Sequence, residues 1–234
     1  NPMWENFWDF VFSVSSALLA IFFGVALGNV IRGVPLNAEG FFFEPLWTNW
    51  RVGQENGILD WFTVLAGIVA YIALTIHGSS YLAVKTENEM NQRARYFVGF
   101  AWYLLIVLTL VSLVATVYVQ PKALDNFSKY PIGWLIPVVV FGALVGIKYF
   151  HFKKQDKPMF LSSCAYLIGM LVGAVFSVYP NVLPASTGEQ YNLTIYNASA
   201  GEYGLKVGLI WWLIGMSIAI TYFIVLYRAF AGKI

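Results

Sequence analysis

Six long stretches of this chain carry almost no charge, and each is long enough to cross a lipid bilayer as a helix. They run from about Phe7 to Ile31, Gly57 to Val84, Tyr96 to Val119, Pro131 to Phe152, Pro158 to Leu183 and Gly204 to Phe230. A bilayer's hydrocarbon core is about 30 Å thick, which about 20 residues span at 1.5 Å each. Every stretch is rich in Leu, Ile, Val, Ala and Gly without alternation of apolar and polar residues. Helices are therefore expected, and a β-barrel, which needs alternating segments of about ten residues, is not. The expected fold is an all-α, multi-pass transmembrane helix bundle of six helices, one domain over residues 1–234. Only 11% of the residues are charged, against about 25% in soluble domains. The net charge of +2 supplies no basic field, so no nucleic-acid partner is expected.

Basic residues of short loops gather on the cytoplasmic side of a membrane. If the second, fourth and sixth helices end there, that side collects Lys85, Arg93, Arg95, Lys148, Lys153, Lys154, Lys157, Arg228 and Lys233, leaving Arg32, Arg51, Lys122, Lys129 and Lys206 opposite. Both ends of the chain then face the cytoplasm, and "VYPNVLPASTGEQYNLTIYNASAGEYG" (Val178 to Gly204) lies outside. Trp47, Trp50, Trp61, Tyr118, Tyr130, Trp134 and Tyr179 suit an outer interfacial belt, with Trp4, Trp8, Tyr149 and Tyr227 on the inner side. Trp102, Trp211 and Trp212 sit deeper, where packing is expected. Gly24 with Gly28, Gly142 with Gly146, and Gly169 with Gly173 have the spacing that admits a neighbouring helix backbone. Pro137 is expected to kink the fourth helix.

Charged groups deep in a membrane mark functional sites, but this chain has few to offer. Asp9, Asp60, His77, Lys148 and His151 all fall within about two turns of a segment end, where they are expected to reach interfacial water. Cys164, the lone cysteine, cannot form an intrachain disulfide or a thiolate-clustered metal site. His77 and His151 both lie toward the cytoplasmic ends of their helices, so a bis-imidazole haem between them is conceivable. The plainer reading is that each caps a helix end or bonds a neighbour's backbone. Met3, Met90, Met159, Met170 and Met216 are most simply core filling. No phosphate loop, His-Glu-x-x-His or local nucleophile motif is present, so no catalytic residue and no metal site are expected. The segment from Lys85 to Arg95 reads as a solvated hairpin, or a docking point for a partner. Asn192 and Asn197 head two Asn-x-Ser/Thr sequons and are either sugar acceptors or turn-capping side chains.

Three strings resemble subunit II of the cytochrome bd-type quinol oxidases: "FWDFVFSVSSALLAIFFGVALGNVIRGVPL" (Phe7 to Leu36), "HGSSYLAVKTENEMNQRAR" (His77 to Arg95) and "YPNVLPASTGEQYNLTIYNASAGEYGL" (Tyr179 to Leu205). They occur in the family's order. The resemblance implies a bacterial inner-membrane subunit of about nine helices, paired with a subunit I that carries haem b and haem d and oxidises quinol while oxygen is reduced to water. Subunit II would be haem-free and would stabilise the assembly, with a bound quinone or lipid also in prospect. It further implies three helices ahead of Asn1, including an acidic "DGFDLG"-like segment tied to proton uptake, whose acids carry over to no residue here. The entry to the second helix, "FFFEPLWTNWRVGQENGILDWFTVLAGI", departs from the family's more apolar form. In a bacterial membrane subunit the two sequons should stay bare. The rival readings are a multi-pass transporter or channel, which needs polar or broken helices near the midplane, and an autonomous cytochrome using His77 and His151.

Overall fold

The computed structural model describes residues 4–53 and 56–233. Helix α1 (Glu5–Arg32) stops at Gly33, whose φ of 93° no other residue type adopts cheaply and whose amide donates back to the Asn29 carbonyl. Helix α2 (Trp61–Lys85) is opened by Asp60. Its carboxylate accepts the Phe62 and Thr63 amides, and Thr63 Oγ1 accepts the Asp60 amide, a reciprocal capping box. The helix therefore starts four residues after Gly57, where a cap is available, rather than where the apolar run begins.

Helix α3 (Asn88–Val119) begins eight residues before Tyr96, because hydropathy marks where a chain is apolar, not where it is helical. Its polar first turns carry an exposed Glu89–Arg93 pair four residues apart. A short helix α4 (Asp125–Lys129) sits between two 3₁₀ turns, and helix α5 (Leu135–Phe152) follows. Pro137 thus falls in the first turn of α5, where its missing amide has no intrahelical partner to lose, and not in an interior where it would kink the helix.

Helix α6 (Asp156–Val178) ends five residues short of Leu183, since Pro180 cannot continue it. The residues beyond form strand β1 (Asn181–Leu183), antiparallel to β2 (Leu193–Thr194). Helix α7 (Glu202–Ala229) closes the series from an N-cap at Gly201. Six of these helices are long and apolar enough to cross a membrane, in agreement with the six expected segments.

Helix α2 packs against α1, α3 and α6, and α5 and α6 form a hairpin. The core between them holds Ile76, Val98, Leu105, Leu144, Ile147, Met159 and Tyr166. Two polar pairs lie in or beside it, as burial favours: Tyr166 and Thr109 share a 2.7 Å hydrogen bond, and Trp102 Nε1 donates to the Leu144 carbonyl at 2.8 Å. The expected glycine contacts hold in most places. A Cβ on Gly24 would stand 2.6 Å from Ala70 Cβ and 2.7 Å from the Ala66 carbonyl, and one on Gly28 would stand 3.0 Å from Thr63 Cα. Gly169 faces Val140, Gly146 faces Ser162, and only Gly142 of the three pairs meets nothing.

Helix α7 stands apart, with none of its residues buried. Trp211 and Trp212 are therefore exposed rather than packed, as are Met216 and Met90, while Met159 and Met170 belong to the core. Met3 lies outside the described residues.

Candidate functional site

Where α1 stops and α2 starts, the structure buries three charges. Arg32, Glu44 and Asp60 have side chains 1%, 3% and 0% exposed, so Asp60 does not reach interfacial water as its position near a helix end suggests. Leaving Arg32 unpaired there would be costly, and every one of its five N–H groups is used. Nη1 donates to Asp60 Oδ2 and, at 3.1 Å, to the Gly57 carbonyl. Nη2 donates to Glu44 Oε1 at 2.5 Å and Asn29 Oδ1 at 2.6 Å, and Nε donates to the Gly33 carbonyl at 3.3 Å. Asn29 in turn donates to the carbonyls of Val25 (2.9 Å) and Ile58 (3.0 Å). The guanidinium fork thereby joins the end of α1, the cap of α2 and the loop between them.

That loop is also tied by its backbone, with the Ile58 and Leu59 amides donating to the Pro45 and Leu46 carbonyls at 2.9 and 3.0 Å. A second loop, between α6 and α7, is stitched onto it. Val34 and Ala185 form a bridge, the Val34 amide donates to Pro184 at 3.0 Å, the Ser186 amide donates to Val34 at 2.9 Å, and Thr187 Oγ1 donates to the Leu36 carbonyl. Within this second loop the sequon asparagines act as caps. Asn192 Oδ1 accepts the Ala185 amide at 2.7 Å, and Asn197 Oδ1 accepts the Thr194 amide at 2.7 Å. The two loops form one cap over this end of the bundle.

Burial pushes the Glu44 carboxyl above its ordinary value of 4.5, with the Arg32 charge opposing the shift and the Asp60 charge adding to it. Only between the ordinary value and the raised one does folded Glu44 hold a proton that the unfolded chain has already released. Its contribution to stability is present below the ordinary value and is lost as pH rises through the raised folded value. Glu44→Gln should flatten that part of the pH dependence, and thermal unfolding of parent and variant across the acidic range checks it: the gap in favour of the parent should shrink as pH rises.

The histidines are separated by their partners. His77 Nδ1 lies 3.0 Å from Ser163 Oγ on α6, with its ring 4.9 Å from that of Phe160. His151 Nε2 lies 3.2 Å from the Arg95 carbonyl on α3, packed against Gly99. Each imidazole is engaged at a different helix interface, His151 with a neighbour's backbone and His77 with a neighbour's side-chain hydroxyl. Among the described residues no three of His, Cys, Asp and Glu are gathered as a metal-binding group, and Cys164 is a free, half-buried thiol.

Around His151, Arg95 pairs with Asp156 at 2.7 Å, and Asn91 donates to Asp156 at 3.1 Å and to the Ala83 carbonyl at 2.7 Å. Half of the expected solvated hairpin is thus a structural joint between α2, α3 and α6. Arg32, Glu44 and Asp60 are what sequence reasoning missed. The available signal was Asp60-x-x-Thr63 ahead of an apolar run, which marks the cap of a helix but does not point to Arg32 or Glu44.

Comparison with known proteins gives this arrangement a family. The family model for cytochrome bd terminal oxidase subunit II matches residues 1–230. A probable cytochrome oxidase subunit 2 from Haemophilus influenzae is 26% identical, with all of this chain aligned to 67% of its length. The cytochrome bd-I ubiquinol oxidase subunit 2 of Escherichia coli is 25% identical over 87% of this chain and 59% of its own. The cytochrome bd ubiquinol oxidase subunit 2 of Bacillus subtilis is 26% identical over 87% and 57%. The chain spans between 57% and 67% of the length of these relatives. With nearly its whole length matched and all six apolar helices in place, the chain belongs to the cytochrome bd terminal oxidase subunit II family.

Proposed function

We propose that this chain is the haem-free accessory part of a quinol:oxygen oxidoreductase in a bacterial cell membrane, and that it holds a haem-bearing subunit I in its working shape. The observation that carries this is the family match over residues 1–230. Haem b and haem d belong to the partner on this reading, as do the sites where quinol is oxidised and oxygen reduced. The lysine-rich end of the bundle, with both ends of the chain, faces the cytoplasm, and the double-loop cap faces outward. His77 and His151 serve as helix-to-helix hydrogen-bonding groups.

Support comes from the division of polar and apolar surface. The buried charged groups are paired with one another, Arg32 with both Asp60 and Glu44, which suits a scaffold better than a reaction centre. Helix α7 presents Leu209, Trp212, Ile220 and Phe223 uncovered, more apolar helix surface than its own bundle can use, and a partner subunit and lipid account for it. The test is to remove the complete subunit from a strain that expresses its oxidase. Loss of assembled oxidase and of quinol-driven oxygen uptake is expected; normal assembly and uptake without it would overturn the proposal.

A further inference from the structure

At the lysine-rich end, Lys148 occupies a slot between α3 and α5 that pairing within the protein does not explain. Its ammonium lies 4.0 Å from the ring centre of Tyr103, 4.9 Å from Trp102 and 5.1 Å from Phe152. Three rings hold the cation in place by their quadrupoles, yet a ring face satisfies none of the three N–H donors in the way an oxygen does. Among the described residues Lys148 forms no ion pair, whereas Asp156, the acid of the adjoining hairpin, is taken by Arg95 at 2.7 Å. Lys153, whose ammonium lies 5.8 Å from the Tyr149 ring, and Lys154 and Lys157 follow within nine residues of Lys148 and likewise lack carboxylate partners among the described residues. The result is an unneutralised positive cluster at one end of membrane-spanning helices, above exposed apolar side chains such as Val107 and Val145.

We propose that this slot binds the phosphate of an anionic phospholipid, with Lys148 as the central contact, Lys153 as a second cation, and the acyl chains along the exposed faces of α3 and α5. The position suits a headgroup, because Lys148 is four residues from the end of α5 and so lies at the depth where phosphate meets hydrocarbon. The charge selects the lipid. A zwitterionic headgroup would bring its own cation among four lysines, whereas phosphatidylglycerol brings only the negative charge that the cluster lacks. Ring-held Lys148 is also already ordered, so little side-chain freedom is lost on binding. The inference rests on the six membrane-spanning helices and not on the proposed role in an oxidase, so either can fail alone.

The test uses the full-length protein as it assembles in its own membrane, purified in mild detergent and stripped of lipid. Phosphatidylglycerol and phosphatidylcholine are added at equal concentration, and bound lipid is counted by native mass spectrometry. The expected results are a preference for phosphatidylglycerol, about tenfold weaker binding in Lys148→Met, which keeps the apolar stem against the rings, and retained binding in Lys148→Arg. Equal uptake of the two lipids, unchanged binding in Lys148→Met, or displacement of the lipid by millimolar inorganic phosphate would overturn it. If Lys148→Met does not assemble, the lipid preference of the unaltered protein and its weakening with salt decide the question.

Discussion

Arg32→Met should destabilise the folded protein by about 3–5 kcal/mol, the usual cost of stranding the partner of a buried ion pair. The guanidinium is 1% exposed and touches two carboxylates that are themselves 3% and 0% exposed. Methionine fills much of the same volume but leaves Asp60 and Glu44 facing each other without a cation, and leaves the Gly57 and Gly33 carbonyls without their donor. The loss should be smaller when the acids are neutralised too. Arg32→Met with Asp60→Asn and Glu44→Gln keeps the cap on α2, because an amide oxygen can still accept the Phe62 and Thr63 amides, and it removes both stranded charges. Thermal unfolding of the purified protein measures both variants. A single variant as stable as the parent would mean that the cluster is open to water.

Gly24→Val should cost about 1–3 kcal/mol or more, since the helices have no room for it. A single added Cβ already meets Ala70 Cβ at 2.6 Å and the Ala66 carbonyl and Gly67 Cα at 2.7 Å. None of these is the far end of a flexible side chain, so α1 must move away from α2. That movement would also pull Arg32, at the end of the same helix, from Asp60 at the start of the other. Gly142→Ala, a substitution at a glycine of the same four-residue spacing, has open space around it and should be neutral or stabilise by up to about 1 kcal/mol through helix propensity. Opposite signs for the two substitutions, read by unfolding temperature, are the expected result.

This contrast shows what a sequence of this kind can and cannot convey. Small residues four apart identify one face of a helix, but whether another helix stands there depends on tertiary placement, which is why Gly24 and Gly142 differ. The six helices were legible because about 20 apolar residues leave a chain few alternatives in lipid. Their ends were less so. α3 extends through polar residues that hydropathy does not count, and α6 stops ahead of Pro180 where an apolar run continues to Leu183.

The Arg32 cluster was hidden for a different reason. Glu44 and Asp60 stand 12 and 28 residues from Arg32 in the chain, and only the folded loop brings them together. Near a helix end, a charge reads by default as wet. The exposed Trp211 and Trp212 err in the other direction, since apolar residues deep in a membrane helix can face lipid or a partner as readily as their own bundle. The family resemblance, by contrast, was carried by long strings whose order survives whatever the local contacts, and it holds.

As proposed, this chain scaffolds an oxidase without holding haem. The most direct measurement is the reduced-minus-oxidised absorption spectrum of the assembled oxidase in which the complete subunit carries both His77→Gln and His151→Gln. Glutamine can replace the hydrogen bonds to Ser163 and to the Arg95 carbonyl but is no haem ligand. Haem absorption per assembled complex equal to that of the parent is the predicted result, and loss of a haem band would contradict the account.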